Sequence, residues 1–455
     1  MTEPATTSTP SGESAAELLD DLIRKALVLG ADAADALRVG GVSLGVSQRL
    51  GKREDLERSE TIDVGFRVFI GKRQAIVSST DTSPAALAEL VERAVAMARV
   101  VPEDPYCGLA DPDLLASVVD DLDLFDVHEC DADELYDRAA EAEDAARAHP
   151  GITNSEGADA SWSVRTVDLA TSHGFAGRYQ TSSYSVSAAV VAGEGTAMER
   201  DYDYAVARHL EDLEDAADVG RRAGERTVKR LNPRKAETSQ VPVVFDPRVS
   251  GGIVGHFSGA LTGPAVARGT SFLKDRKGRQ VFPTNVTVTD DPHRARGLAS
   301  KPFDGEGVSN QRTVLAKSGV LETWILDSAS ARQLGLKTTG HAGRGASSPP
   351  SPSTTNLYMD AGEPTPRDLV ADISSGFYVT ELIGFGVNPI TGDYSRGAAG
   401  FWIENGEISR PVSEVTIAGN LKDMFMNLVP ANDLKFRYAT NAPTLRIDGM
   451  TVAGA

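Results

Sequence analysis

Residues 61–79 read TIDVGFRVFIGKRQAIVSS, and this stretch sets the expected fold of the N-terminal half. Apolar side chains occupy every second position from Ile62 to Ile70, which is the period of a half-buried β-strand. Gly71-Lys72 then indicates a tight turn into a second strand. The stretch is therefore predicted to form a β-hairpin.

Two amphipathic helices are predicted on either side of this hairpin. The first should begin at Ser14, because Ser14-Ala-Ala-Glu17 has the capping-box pattern, and should end at Gly30. The second should open at Thr82-Ser83-Pro84, with proline at its first position. Residues 1–13 lack the basic start and apolar stretch of a secretory signal and are predicted to form a disordered leader.

The remaining pattern divides the chain in two. Strands are predicted in 160–205, which is rich in Ser, Thr, Val and Tyr, and a helix follows around 209–230. The polar segment 231–240 contains Pro233 and is the expected domain boundary. We therefore predict an α+β protein, with an N-terminal α/β domain of hairpins and flanking helices at 14–235 and a C-terminal β-rich domain at 236–455.

Two further features belong to the second domain. FWIENGEIS, residues 401–409, predicts a hairpin because Asn405-Gly406 is the preferred type I′ turn. The stretch 345–366 is rich in serine and proline and is expected to be a loop.

Composition and charge limit the function classes. No run of 18 apolar residues occurs, and the two cysteines, Cys107 and Cys130, make no disulfide framework, so we expect a cytoplasmic protein without a membrane span. Of the net charge of −19, residues 101–150 carry −14, from 16 acidic residues against 2 arginines. Such a block argues against nucleic-acid binding. It is either a solvated face or a docking surface for a basic partner.

Sequence motifs for catalysis are scarce. Neither a phosphate-binding Walker loop nor a GxSxG nucleophile elbow occurs. His128-Glu129 lacks the second histidine of an HExxH zinc helix and is interpreted as a solvated pair. The seven histidines are far apart, so a metal site would have to be assembled entirely by the fold.

Three clusters remain as candidates. His341 lies between glycines in TGHAGR, and TGDYSRGAAG places Asp393, Tyr394, Ser395 and Arg396 in succession. The second cluster is either part of a nucleophilic site or a turn in which aspartate caps backbone amides and arginine pairs with a carboxylate. In KPFDGEG, Asp304 and Glu306 could share a strand face and bind a cation, but a third ligand is lacking.

Motifs along the chain together resemble the TldD/PmbA family, in its PmbA branch, which is also called TldE. The motifs, in chain order, are DVGFRVFIGKRQAIVSSTDTSPAALAELVERAVAMARVVPEDPYCGLAD, SFLKDRKGRQVFP, LASKPFDGEG, VLETWILDSASARQLGLKTTGHAGR, ITGDYSRGAAGFWIENGEI and VSEVTIAGNLKDM. The resemblance implies a hetero-oligomeric, zinc-dependent peptidase that is built from TldD and TldE subunits. Such a complex trims unfolded or leader-bearing peptides inside a closed cavity.

The resemblance also implies how the metal is held. In the TldD branch the ligands are a His-Glu-x-x-x-His motif and a cysteine near the C-terminus. In GGIVGHFSGALTG, residues 251–263, His256 matches the second histidine, but Gly251 and Gly252 stand at the first histidine and the glutamate. No cysteine follows Cys130. We therefore expect no catalytic or metal-binding residue in this chain, and zinc in a TldD-like partner subunit.

His256 is then expected to pack at a subunit or domain contact, where the surrounding glycines let its helix approach another backbone. His341 and the Asp393–Arg396 cluster are candidates for the interface or for peptide binding. If the fold does assemble a zinc site on His256, its other ligands would come from His341, His293, Asp304 and Glu306.

Three functions remain open at this point. The first is a TldE-like peptidase subunit that is inactive without its partner. The second is a non-catalytic peptide-binding or regulatory protein, in line with the family's description as a modulator of DNA gyrase. The third is a metal-independent hydrolase that uses Asp393, Ser395 and His341.

Overall fold

The computed structural model describes residues 12–454. The predicted leader therefore lies outside the described residues, except for its last two positions, which belong to the first helix. That helix begins at Gly12, two residues before the predicted start at Ser14. Ser14 is thus inside the helix and is not its N-cap. Burial of Leu19, Leu22 and Ala26 anchors the helix on the sheet.

The N-terminal half is one antiparallel sheet with helices on one face. Its strands are β1 (Ala33–Arg49), β2 (Lys52–Ile70), β3 (Arg73–Ser79), β4 (Ile152–Thr171), β5 (Ala176–Ala192) and β6 (Glu199–Ala207). Its helices are α1 (Gly12–Val28), α2 (Pro84–Val100), α3 (Ala132–Arg147) and α4 (Ala216–Lys229). The strand order is β3-β2-β1-β4-β5-β6. The predicted β2–β3 hairpin is confirmed.

The helices cover one face of this sheet as two pairs. Val64, Phe66 and Val68 of β2 pack against α1 and α2 in one apolar cluster. Leu44 and Val46 of β1 belong to a second cluster with α3 and α4. Both clusters use side chains at even-numbered positions of β1 and β2. The odd-numbered positions therefore face the other side of the sheet.

That other side is also buried, so the expectation of a half-buried strand was wrong. Residues 64–69 of β2 are all buried. Gly65 lies so close to the C-terminal half that a Cβ atom there would be 2.2 Å from the carbonyl oxygen of Ala346. Arg67 Nε donates to Asp35 Oδ2 at 2.9 Å. Alternation alone cannot distinguish a polar side chain in water from one that is neutralised inside the protein.

The C-terminal half is richer in strands, as expected. Its strands are β7 (Ser239–Phe245), β8 (Val288–Asp290), β9 (Thr313–Lys317), β10 (Val320–Leu321), β11 (Ala342–Gly343), β12 (Ser351–Pro352), β13 (Leu357–Met359), β14 (Ser375–Ile383), β15 (Asp393–Glu404), β16 (Glu407–Asn420), β17 (Leu428–Pro430), β18 (Thr440–Asn441) and β19 (Leu445–Ala453). Its helices are α5 (Pro247–Ala260), α6 (Gly263–Ala267), α7 (Ser328–Leu334), α8 (Pro366–Ala371) and α9 (Leu421–Met426). Helices and sheets together confirm the α+β class.

Five of these strands close into a ring. The order β16-β15-β14-β7-β19 is closed because β16 also pairs with β19. The β15–β16 connection confirms the predicted type I′ turn, since Asn405 and Gly406 have φ of 51° and 82°. Helix α5 contributes Ile253 and Phe257 to the core that the ring surrounds.

The prediction that the serine- and proline-rich stretch 345–366 is a loop was wrong in part. The stretch contains β13, whose Leu357 and Met359 are fully buried and which pairs with β8. The backbone N–H of Thr355 also donates to the buried carboxylate of Asp290 at 2.6 Å. Composition does not reveal this, because the pairing partner lies about 65 residues earlier in the chain.

Among residues 12–454, no helix has both the length and the apolar character that crossing a membrane requires.

The close approach at Gly65 gives a first prediction. Gly65→Ala should lower the free energy of unfolding by roughly 1–3 kcal/mol, because overpacking forces backbone shifts. Gly45→Ala on β1 is the control, since its Cβ would meet only Ser161 Cβ at 3.8 Å. Urea unfolding of both variants measures the difference. Equal stability of the two variants would contradict the close packing of the two halves at β2.

We propose that the domain boundary lies at 231–240, and limited proteolysis tests this. Arg234 and Lys235 are exposed. Trypsin should therefore cut there earlier than at any site within 62–78, where the backbone is paired on both sides along much of its length. Initial cutting within 62–78 would contradict the proposed organisation.

Candidate functional site

Helix α5 carries the histidine that the sequence singled out. The Asp246 side chain caps the helix by accepting from Arg248 N at 2.9 Å, and Pro247 occupies its first turn. Ile253, Val254 and Phe257 form its buried stripe. This packing fixes which face of α5 points away from the core.

The outward face of α5 has open space beside three of its glycines. Extra Cβ atoms at Gly252, Gly255 and Gly259 would meet no atom within 4 Å. These positions lie on the same face as His256, because residues three and four apart are neighbours on a helix. The expected close approach of another backbone occurs only at Gly251, where a Cβ would lie 3.0 Å from Thr440 O. Gly252, Gly255 and Gly259 make no such approach within residues 12–454, so for them a subunit contact stays a prediction.

His256 lies beside two residues of the Asp393–Arg396 cluster. Its ring packs edge-on against Tyr394, with centroids 5.9 Å apart. Burial lowers the pKa of His256, and the positive charge of Arg396 lowers it further. Burial also raises the pKa of Tyr394 to about 12. Both rings are therefore neutral at pH 7.

The alternation of β15 explains why only half of this cluster reaches His256. Asp393–Arg396 form the start of the strand and not a turn, which corrects that alternative. Tyr394 is buried, while Asp393 and Ser395 are exposed on the opposite side. Asp393 accepts hydrogen bonds from Thr391 Oγ1 and Asn420 Nδ2 at 2.6 and 3.0 Å.

A cavity of about 410 Å³ adjoins this face of α5. It lies where the two halves of the chain meet, and its charged lining residues are Arg200, Asp201, Arg230, Arg248, Glu381 and Arg396. Arg248 pairs with Asp201 at 2.8 Å, and Arg230 pairs with Glu381 at 2.6 Å. Within residues 12–454, Arg396 has no ion-pair partner, and its Nε has no hydrogen-bond partner. The cavity therefore offers an uncompensated positive charge to an anionic group.

The residues on α5 do not fit the zinc site that the resemblance describes for the sister subunit. Gly251 and Gly252 supply neither an imidazole nor a carboxylate, so His256 is a single donor. The Arg396 charge that lowers the pKa of His256 also repels a divalent cation. No step of zinc chemistry can be derived for this helix.

The other candidate ligands for His256 have separate structural roles. His341 Nδ1 lies 2.8 Å from Thr339 O, and its Nε2 lies 3.4 Å from Asp290 Oδ2. His293 Nε2 lies 2.8 Å from Asn310 Oδ1. Each of these imidazoles is therefore held by contacts with residues other than His256.

Asp304 and Glu306 are buried and support the backbone. Asp304 accepts from the backbone N–H groups of Glu306, Val308 and Ala342, and Glu306 accepts from Ser328 N. Burial and the neighbouring Glu306 carboxylate raise the pKa of Asp304. The prediction that these two carboxylates share a strand face was wrong, because they lie in a buried turn.

The structure does not bring together the three residues that the metal-independent hydrolase would need. His341 contacts Asp290 and Thr339, whereas Asp393 contacts Thr391 and Asn420, and Ser395 is exposed. In the described part of the chain, no hydrogen bond joins any two of His341, Asp393 and Ser395. A nucleophile and its base must lie within hydrogen-bond reach, and these residues do not.

One cluster was missed by the sequence analysis. His128, Cys130 and Glu134 place one ligand atom each within 4.8 Å of one another. Their spacing, His-x-Cys-x-x-x-Glu, is visible in the sequence. It was passed over because His128 was tested only against the HExxH pattern. Burial and the nearby Glu134 carboxylate raise the pKa of Cys130 to about 11.

Comparison with known proteins decides the family. Three models of the PmbA/TldA metallopeptidase match in order, for domain 1 at residues 34–98, the central domain at 126–231 and the C-terminal domain at 238–454. The chain belongs to this PmbA/TldD family. Metalloprotease PmbA of Escherichia coli O157:H7 is 41% identical over 448 residues, which is 97% of each chain. The Haemophilus influenzae PmbA homolog is 38% identical over 92% of this chain and 91% of its own.

Solved structures of the PmbA/TldD family share the fold. A Bacteroides thetaiotaomicron protein, described as a candidate modulator of DNA gyrase, matches with a TM-score of 0.90 at 26% identity, over 98% of this chain and 100% of that one. TldE from Thermococcus kodakarensis matches with a TM-score of 0.85 at 20% identity, over 96% of this chain and 100% of its own. The latter likeness shows the fold alone.

The effect of the Arg396 charge on the pKa of His256 gives a titration prediction. The NMR midpoint of His256 should lie below the 6.5 of an unperturbed imidazole. Because this pKa is lower in the folded state, the stability linked to His256 is complete above about pH 6.5 and is lost as the pH falls through the folded-state pKa. Arg396→Gln should raise the midpoint.

Arg410→Gln is the matched control, because Arg410 pairs with Glu404 in the same hairpin. It should leave the midpoint of His256 unchanged. A wild-type midpoint at or above 6.5, or no shift in Arg396→Gln, would contradict the described surroundings of His256.

Proposed function

We propose that this chain is the TldE-like subunit of a cytoplasmic, zinc-dependent peptidase complex. In this proposal a TldD-like partner holds the zinc and performs hydrolysis. The chain itself supplies part of the chamber in which unfolded or leader-bearing peptides are bound. The proposal extends the family membership to an assembly and to a division of labour between the two subunits.

The observation that carries the proposal is the bare face of α5. The resemblance aligns this helix with the one that carries the metal motif in the sister branch. Here Gly252, Gly255 and Gly259 leave that face without side chains, whereas the solvent face of an amphipathic helix usually carries polar or charged ones. Glycine in a helix costs up to about 1 kcal/mol relative to alanine. Retaining three of them on an open face is consistent with a surface that another chain or a peptide backbone covers.

The arginine-lined cavity supports a role in peptide handling. It adjoins Gly252, and Arg396 lacks a carboxylate partner among residues 12–454. A guanidinium recognises a carboxylate through paired hydrogen bonds. We propose that Arg396 contacts an acidic group of the peptide or of the partner subunit when the complex forms.

Reconstitution with the TldD-like partner tests this function. Chelator-sensitive peptidase activity should require both chains. Arg396→Ala should lower the activity of the complex or its affinity at least about tenfold, since truncating one side of a buried charged pair costs about 2–5 kcal/mol. Arg410→Ala should retain wild-type activity. His256→Ala should spare catalysis or reduce it only slightly.

The outcomes separate the two functions that remain. Peptide binding without turnover, whether or not a partner is added, would favour a regulatory binding protein. The description of the Bacteroides thetaiotaomicron neighbour as a candidate gyrase modulator makes this the second candidate. Chelator-sensitive turnover by the isolated chain that is lost in His256→Ala would contradict the proposed division of labour.

A further inference from the structure

The chain segment that leads into α3 brings three metal-ligating side chains together. His128 Nε2 lies 3.2 Å from both carboxylate oxygens of Glu134. Cys130 completes the group, in which every chosen pair of ligand atoms lies within 4.8 Å. We propose that His128, Cys130 and Glu134 bind a thiophilic divalent cation such as zinc, with a fourth position open to water. This site is independent of α5 and of the proposed peptidase assembly.

The donor set matches the chemistry of zinc. Imidazole nitrogen, thiolate sulfur and carboxylate oxygen are its usual protein ligands, at bond lengths of about 2.0–2.3 Å. Tetrahedral bonds of that length separate the ligand atoms by roughly 3.3–3.8 Å. The described atoms, at most 4.8 Å apart, therefore need to close by up to about 1.5 Å through side-chain rotation. The Cys130 thiol would release its proton to solvent as its sulfur binds the cation.

Contacts within the chain position the three ligands, and Glu134 is held through its own carboxylate, whose Oε2 accepts from the backbone N–H of Asp131 at 3.2 Å. The backbone N–H of His128 donates to Asp126 Oδ1 at 3.0 Å, and its carbonyl accepts from the hydroxyl of Tyr184. Cys130 is buried in the apolar cluster beneath α3. Glu134 is fixed at the start of α3 by its capping box with Asp131. Such pre-arrangement lowers the entropic cost of ligation.

The electrostatic surroundings also favour a cation. Residues 101–150 carry a net charge of −14, and the three ligands lie inside that segment. The sequence left open whether this acidic block is only a solvated face. A bound cation gives part of the block a specific role, because it would tie the segment before α3 to the first turn of that helix.

A hydrogen-bonded His128–Glu134 pair is the alternative use of the same residues. That pair needs only the imidazole and the carboxylate, and it makes no use of Cys130. Dependence of metal binding on the thiol therefore separates the two interpretations. The chain offers a matched control in its other cysteine, because Cys107 is equally buried and belongs to no ligand cluster among residues 12–454.

The test is titration of the full-length chain with cobalt(II) as the probe, followed by displacement with zinc. Cobalt bound to a thiolate gives a sulfur-to-metal charge-transfer band, so the spectrum reports ligation by cysteine. The band should saturate at one cobalt per chain and disappear when zinc is added. Cys130→Ser should abolish it, and Cys107→Ser should retain it.

His128→Asn provides a second variant that does not disturb the core, since His128 is about 42% exposed. It should weaken cobalt binding by more than the roughly 10-fold to 100-fold that loss of an outer-shell contact causes. His149→Asn, which alters a partly exposed histidine outside the cluster, should bind as the wild type does. Circular dichroism confirms that each variant is folded.

Three results would overturn the proposal. One is the absence of a saturable charge-transfer band in the wild type, and another is a band that persists in Cys130→Ser. The third is equal loss in Cys130→Ser and Cys107→Ser, which would assign the effect to general damage of the core. None of these results bears on the peptidase assembly, which is measured by turnover with the partner.

Discussion

The buried carboxylate of Asp35 fixes how the two halves of the chain meet. Arg67 of β2 and Arg344 of the C-terminal half both pair with it, the latter at 2.7 Å, and all three side chains are almost fully buried. Burial opposes the ionisation of Asp35, but the two arginine charges outweigh it, so its pKa lies below the usual value. Removing one partner of such a group typically costs about 3–5 kcal/mol. Separating the two halves would leave these buried charges unpaired, so the ion pairs hold the halves together.

The position of the candidate site follows from this junction. With the halves fixed by Asp35 and by the close approach at Gly65, residues of β6 and Arg230, which follows α4, meet residues of α5, β14 and β15 around one cavity. Arg396 reaches the cavity from β15, and Gly252 borders it from α5. Neither half alone would form this lining. The proposed role of the chain thus depends on the contact between its two halves.

The elements that could be predicted from the sequence are those formed by residues close together in the chain. The hairpin at 61–79 and the turn at Asn405-Gly406 were both predictable for this reason. Arg67 could not be assigned to a buried pair, since Asp35 and Arg344 lie 32 and 277 residues away from it. The same limit applied to Tyr394, whose ring contact with His256 depends on which face of β15 is buried. His128, Cys130 and Glu134 are the exception, because their spacing was local and was overlooked.

The claim that α5 has the position of a metal site without its chemistry can be tested directly by locating the zinc. Anomalous diffraction at the zinc edge, from crystals of this chain in complex with a TldD-like partner, measures where the metal lies. We predict a zinc peak within the partner subunit and none within bonding distance of His256. Zinc coordinated by the His256 imidazole would contradict the account.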